Sequence, residues 1–231
     1  MALSALVLLS EPTKASSRDN SVRQGLPGRR ISGGSRSPDA ACLLTPDQPV
    51  VALMPKSNLG LTLSERPTLW FSLPAISTGR KLEFGLYSPA GELVHKESFN
   101  APEDAGITSL KIPETFAPLT VGEDHRWYLS VVCNPQSRSE DLVVTGWIRR
   151  IPADNDFEER IAKAVPYEQI SIYQESALWL EALATLVEVR LESPNNTALE
   201  RLTDEKWVGL LESVDLLRVA MEPLSSQPIS P

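Results

Sequence analysis

The sequence predicts a β plus α protein: an antiparallel β-sandwich followed by a C-terminal α-helical hairpin and a capping helix. Three observations predict it. Between Gln48 and Ile151 apolar residues alternate with a period of two in short runs, as half-buried strands require. Turn residues separate these runs at close spacing with no helical period between them. After Ile151-Pro152 the apolar spacing lengthens to that of amphipathic helices.

Val50, Ala52 and Met54 form the first alternating run, and Thr68-Leu-Trp-Phe-Ser-Leu73 follows a break at Ser64-Glu-Arg-Pro67. Leu82, Phe84 and Leu86 alternate within Lys81–Tyr87, and the turn Ser88-Pro-Ala-Gly91 leads into Glu92–Phe99, which predicts a hairpin. Ile107–Ile112 comes next. After a corner over 118–124, Trp127–Cys133 and Leu142–Ile148 are the most apolar runs and are expected at the centre of the sheets. About seven short strands in roughly a hundred residues argue for an immunoglobulin- or fibronectin-like sandwich, with a small barrel as the alternative. Trp70, Phe71, Phe84, Trp127 and Trp147 occupy alternating positions in these runs and read as packing residues.

Asp154-Asn-Asp-Phe-Glu-Glu159 places acidic residues in the first turn of a helix, where the backbone dipole favours them. The run lacks the glycine and terminal glutamate of a calcium loop. Pro166 suits the first turn of a second helix. Tyr173, Ala177, Trp179, Ala182, Leu186, Val189 and Pro194 then resemble one tetratricopeptide repeat (TPR), with Ala177 and Ala182 expected to let two helices approach closely. A plain helical hairpin docked on the sandwich is the simpler reading. Trp207, Leu210, Leu211, Val214 and Leu217 give a further amphipathic helix that covers the hairpin.

Net charge is −8, distributed unevenly. Residues 12–38 carry six basic side chains against one acidic, whereas residues 154–231 carry six against fifteen. An acidic body repels phosphate, and a short basic arm without interleaved aromatics does not point to nucleic acid. No stretch approaches the roughly 20 apolar residues of a membrane span, so the mature chain is expected to be soluble. The expected organisation is an apolar leader over 1–15, a basic Gly/Ser/Arg-rich disordered arm over 16–41, the sandwich over 42–152, the TPR-like region over 153–222 and a disordered tail over 223–231.

Residues 1–10 form a short apolar run, and Thr13 and Ala15 fit a small-x-small cleavage site, so the segment reads as the back half of a secretory signal or as a frayed apolar terminus. Cys42 and Cys133 are the only cysteines. They are either two buried thiols or a bridge stapling the start of the sandwich to its sheet, and the apolar leader favours an extracytoplasmic disulfide.

Five stretches together resemble a known family. They are Arg29-Arg-Ile-Ser-Gly-Gly-Ser-Arg36 leading to Cys42, Gly60-Leu-Thr-Leu-Ser-Glu-Arg-Pro-Thr-Leu-Trp-Phe71, Trp127–Cys133, Gly146-Trp-Ile-Arg-Arg150 and Trp179–Leu186. The resemblance is to the cyanobacterial domain-of-unknown-function family 928, spans about Arg29 to Glu222, and is specific through Leu63-Ser-Glu-Arg-Pro-Thr68. It implies a secretory leader, a pairing of Cys42 with Cys133 and a periplasmic or envelope location. It implies no activity.

Two histidines, two cysteines and no phosphate or metal-ligand motif leave few groups for catalysis. The leading expectation is a non-enzymatic adaptor of the cell envelope, periplasmic or extracellular, that binds a protein or peptide and needs no metal or cofactor. On the repeat analogy its contact face is Tyr167, Ser171, Gln174 and Glu175. A hydrolase using His95, beside Lys96-Glu97, or His125, after Glu123-Asp124, is one alternative. A carbohydrate-binding or scaffold module presenting Tyr128 and Trp147, which point opposite their apolar strand neighbours, is the other. The sequon at Asn195 reads as incidental to a helix stop.

Overall fold

Each period-two run contains a strand, with a clean alternation of buried and less buried residues along Leu142–Arg150. A computed structural model describes residues 26–33, 42–45, 48–102, 104–192, 197–225 and 228–229. Its strands are β1 (Val51–Ala52), β2 (Leu59–Thr62), β3 (Thr68–Leu73), β4 (Lys81–Tyr87), β5 (Leu93–Asn100), β6 (Gly106–Lys111), β7 (Asp124–Val132) and β8 (Leu142–Arg150). They form a three-stranded sheet, β1-β3-β6, and a five-stranded sheet, β2-β8-β7-β4-β5. Phe71 of β3 meets Trp127 of β7 edge-on at 5.7 Å between ring centroids, which joins the two inner faces. Leu82, Phe84, Leu129 and Val144 are fully buried beside them.

One strand is additional to the expected set and changes the pairing rule. β2 runs parallel to β8, with Leu59 opposite Trp147 and Thr62 opposite Arg150, so the larger sheet is mixed rather than purely antiparallel. Alternation cannot report strand direction, and four residues containing Gly60 give too short a run to stand out. Gly60 is needed for the packing. A Cβ there would lie 3.1 Å from Met54 Cε and 3.2 Å from Leu180 Cδ1.

Four helices follow: α1 (Asn155–Lys163), α2 (Pro166–Glu175), α3 (Trp179–Glu192) and α4 (Thr197–Glu212). Asp154 caps α1, its Oδ1 accepting from the Phe157 N–H at 2.7 Å. Pro166 opens α2, and the Glu168 carboxylate accepts from the preceding Val165 N–H at 3.3 Å. α2 ends in a Schellman turn, in which Leu178 N–H donates to Tyr173 O at 2.9 Å and Ala177 N–H to Gln174 O at 3.1 Å. Ala177 therefore does not sit in the helix seam as expected. It is the exposed turn residue, at φ 57°, and Ala182 alone lies buried between the helices.

The helices are not a separate layer of stability. One cluster of buried residues runs from Cys42 to Ile229 and includes Leu180, Leu183, Leu186 and Trp207. Trp179 of α3 donates its indole N–H to Leu53 O at 2.7 Å, and Glu181 accepts from Leu63 N–H at 2.7 Å and Thr62 Oγ1 at 2.5 Å. Leu63, one of the two donors to Glu181, begins the Leu63–Thr68 string that carried the family resemblance. The string forms the corner between β2 and β3, with Glu65 paired to Arg150 at 3.0 Å and Arg66 donating to Phe116 O at 3.2 Å.

Neither terminal segment is wholly the free chain that its composition suggested. Within the expected disordered arm, Arg29 exchanges backbone bonds with Thr145, and Ile31 bridges to Val51. Arg30 donates to Met54 O at 2.8 Å and Val214 O at 3.1 Å, tying the basic arm to the acidic helical part. Within the expected disordered tail, Ser225 N–H donates to Ile107 O and Ile229 N–H to Ser109 O, each at 2.7 Å, along the free edge of β6. Unpaired backbone of edge strands supplies the partner that composition cannot reveal. The leader over 1–15 and the sequon at Asn195 lie outside the described residues.

Just before this tail, Glu222 accepts a short hydrogen bond from the buried Ser72 hydroxyl of β3. Burial pushes the Glu222 carboxyl above its ordinary range, and the Ser72 bond pulls it only partly back. A carboxyl raised on folding favours the native state fully below the unfolded value of about 4.3, and that contribution is lost as pH rises through the folded value. Glu222→Gln is therefore expected to leave stability at pH 7 within about 0.5 kcal/mol of the parent, or above it. Urea denaturation across pH 4–7 checks this: the variant's stability should fall less with rising pH.

Candidate functional site

The face expected on α2 is divided by the fold. Lys206 of α4 donates to Ser171 Oγ at 2.7 Å and lies 4.8 Å from the centre of the Tyr167 ring. Both residues are half-buried in this contact. Gln174 and Glu175 stay exposed at the end of the helix. Glu175 approaches Arg160 of α1 at 3.8 Å, and Gln174 borders a cavity of about 150 Å³ with Trp179, Ala182 and Leu210.

A larger groove, of about 450 Å³, lies where α1 leaves the sandwich. Its walls include Leu63, Val121, Ile151, Phe157, Ile161 and Tyr173, with Arg150 and Glu158 as charged groups. Phe157 and Ile161 share one face of α1 because they are four residues apart, and Phe157 leans on Tyr173 at 6.1 Å between ring centroids. Burial, then the charges of Glu181 and Glu188, raise the Tyr173 phenol above its ordinary value. Such a concavity suits an apolar side chain or acyl segment with one polar end. The only trace of it in the sequence is the pair Phe157 and Ile161 in an otherwise polar helix.

Both histidines sit in the sandwich. His95 of β5 stacks on Phe116 at 4.4 Å, and its Nε2 accepts from the Ala117 N–H at 3.0 Å. That bond requires an unprotonated Nε2. His125 of β7 is 6% exposed, and its Nδ1 has no hydrogen-bond partner. β4 lies between the strands that carry them, and His95 aligns across it with Trp127 rather than with His125, so the register does not bring the two together. Among the described residues no group of three or more His, Cys, Asp or Glu is placed to hold a metal ion.

The two outward aromatics are both engaged. Trp147 donates its indole N–H to Pro27 O at 2.8 Å. Tyr128 lies over Gly85, where a Cβ would come within 2.0 Å of its ring, and donates to Glu83 Oε1 at 3.0 Å. Glu83, which lies between the alternating apolar residues Leu82 and Phe84, is 7% exposed. It also meets Lys96 at 2.8 Å and Arg138 at 3.2 Å. Burial favours its neutral form, but hydrogen bonds from Arg138, Lys96 and Tyr128 outweigh this and hold the carboxyl below its ordinary range. Arg138 also binds Asp141 at 2.6 Å, and Asp141 accepts from Ser130 Oγ and Cys133 N–H.

This network ends beside the disulfide. Cys42 and Cys133 are bonded, with Cα atoms 5.0 Å apart. Backbone pairing holds the Cys42 side, where Ser77 N–H donates to Cys42 O at 2.9 Å and Leu44 N–H to Ala75 O at 2.8 Å. Arg80 donates to the carbonyl of Cys133 at 2.5 Å.

The fold thus defines a class: a two-sheet β protein stapled by one disulfide, with three of its four helices, α2, α3 and α4, sharing its core. Residues 31–224 match the family described as Domain of Unknown Function (DUF928), and the chain belongs to that family. No curated protein matches the chain. No helix among the described residues is long and apolar enough to cross a membrane.

Proposed function

We propose that the chain is a non-enzymatic protein-interaction module of a cyanobacterial cell envelope, periplasmic or extracellular, that takes a protein or peptide partner. What carries the reading is the use made of the two imidazoles. His125 is enclosed in the sandwich, and half-buried His95 has its Nε2 engaged by the Ala117 N–H, so neither imidazole has the free, paired geometry of a general base. The Cys42–Cys133 bond favours an oxidising compartment, because such bonds are rare in the cytosol.

The sandwich in this reading is immunoglobulin-like. What supports this is that β1, β3 and β6 can be taken as strands A, B and E, and β4, β7 and β8 as C, F and G, although strand D has no counterpart in the three-stranded sheet. The TPR-like element is the α2–α3 hairpin, with Ala182 between its helices and Gln174 and Glu175 left for a partner.

The test is affinity capture from envelope extract with wild-type protein and a Gln174→Ala/Glu175→Ala variant of equal thermal stability. The expected result is a partner retained by the wild type and reduced at least about tenfold by the variant, since one or two lost contacts of about 1.4 kcal/mol have that effect. Equal recovery removes this face. A hydrolytic activity in the purified protein that disappears in His95→Gln overturns the non-enzymatic reading.

A further inference from the structure

The chain covers its sheet edges with unusual completeness, except at one place. Arg30 and Ser32 pair along β1, with Ala52 N–H donating to Arg30 O at 2.7 Å and Ser32 N–H to Val50 O at 2.9 Å. The C-terminal segment lines β6 through Ser225 and Ile229, and β2 is flanked by α3, whose Glu181 takes the Leu63 N–H. β5, eight residues long, closes the five-stranded sheet with β4 alone as its neighbour. No described residue pairs with its outer side.

The register shows which groups are open. Ala101 N–H donates to Arg80 O, and Lys81 then pairs with Asn100, Leu82 with Phe99 and Phe84 with Glu97. Bonded pairs alternate in an antiparallel ladder, so Lys96, Ser98 and Asn100 direct their backbone N–H and C=O away from β4. At the other end of β5 the pairing shifts, and Leu93 and Val94 are 46% and 44% exposed.

Charge selects the occupant. By the same register Lys81, Lys96, Arg126 and Arg149 lie on the outer face of this sheet, and Arg138 joins them through Glu83. Glu83, Asp124 and Asp141 are the carboxylates paired to them, which leaves a cationic face on a chain of net charge −8. Antiparallel self-pairing with a second copy sets lysine against lysine when centred on Lys96 and glutamate against glutamate when centred on Glu97. Centred on Ser98 it brings no like charges together, but Lys96 then faces Asn100 and the cationic face receives no carboxylate.

We propose that the outer edge of β5 binds an extended acidic segment of a partner protein by strand addition, its backbone pairing with Lys96–Asn100 and a carboxylate lying opposite Lys96. This surface is distinct from the α2 face, and each stands or falls without the other.

Fluorescence anisotropy with the full, oxidised chain tests it. The probes are labelled eight-residue peptides of alternating Val and Thr, carrying either two Glu or two Lys at outward positions. The Glu peptide is expected to bind at least tenfold more tightly than the Lys peptide, with affinity falling as salt rises. Methylating alternate backbone nitrogens of the Glu peptide should reduce binding at least tenfold on one set of nitrogens and leave it unchanged on the other. Ser98→Pro, which removes an outward N–H without touching the β4 ladder, should cause a similar loss at unchanged melting temperature. Methylated peptides that bind as well as the parent, or equal binding of Glu and Lys peptides, overturn strand addition of an acidic segment. Self-association of the chain that Ser98→Pro abolishes assigns the edge to a second copy and also overturns it.

Discussion

Replacing both Cys42 and Cys133 with serine is expected to lower the free energy of unfolding by about 4–5 kcal/mol in the chain-entropy account of cross-links. The bridge spans 91 residues, and a loop of that length loses much of its freedom in the unfolded chain. The native state offers little to offset the loss. The Cys42 segment keeps its backbone pairing to Ala75–Ser77 and the burial of Cys42 and Leu43, contacts that do not depend on the bridge sulfur atoms. At roughly 2–4 °C per kcal/mol for a chain of this size, the melting temperature should fall by about 10 °C or more. Urea denaturation of the oxidised protein, the reduced protein and the double serine variant measures the effect. The reduced protein and the variant should agree with each other and fall well below the oxidised form. Equal stability of all three would show that the staple contributes nothing.

The reach of the sequence is clearest at β4 and β7. Leu82, Phe84 and Leu86 alternate and are buried, and Trp127 and Leu129 do the same, because burial on one face of a strand is a local property. The hairpin joining β4 to β5 was legible for a similar reason, since Ser88–Gly91 supplies the turn. What stayed hidden depended on partners far away in the chain. Arg30 looked like part of a solvated arm until Met54 O and Val214 O gave its guanidinium acceptors. Burial lowers the pKa of that guanidinium more than the nearby Asp215 raises it, a balance that composition cannot convey. Tyr167 and Ser171 read as an open face because the helix analogy places them outward, but Lys206, on α4, occupies both. The groove was hidden because its residues come from five separate stretches between Leu63 and Tyr173.

Glu83 is the sharpest of these cases, and it sets the second large effect. In Lys81-Leu-Glu-Phe84 it resembles any outward residue of a half-buried strand, yet Arg138, from a loop 55 positions later, covers it. Breaking a buried ion pair by removing one partner costs about 3–5 kcal/mol when the other charge stays buried. Here the abandoned Lys96 and Arg138 side chains are 47% and 43% exposed and regain water, so Glu83→Ala is expected to cost less, about 2–3 kcal/mol. The loss should depend on pH. Because the folded carboxyl titrates below its unfolded value of about 4.3, its contribution is fully present above that value and disappears as pH falls through the folded one. Wild type and variant should therefore differ fully at pH 7 and approach each other as pH is lowered below about 4.3 in urea denaturation. Tyr128 supplies a second readout. Burial first, then the hydrogen bond and charge of Glu83, raise its phenol above the ordinary range. In Glu83→Ala the tyrosinate absorbance attributable to Tyr128 should appear at lower pH than in the parent. A variant with unchanged stability and an unchanged tyrosine titration would show that Glu83 is solvated and that the network does not hold these strands to the loop carrying Arg138.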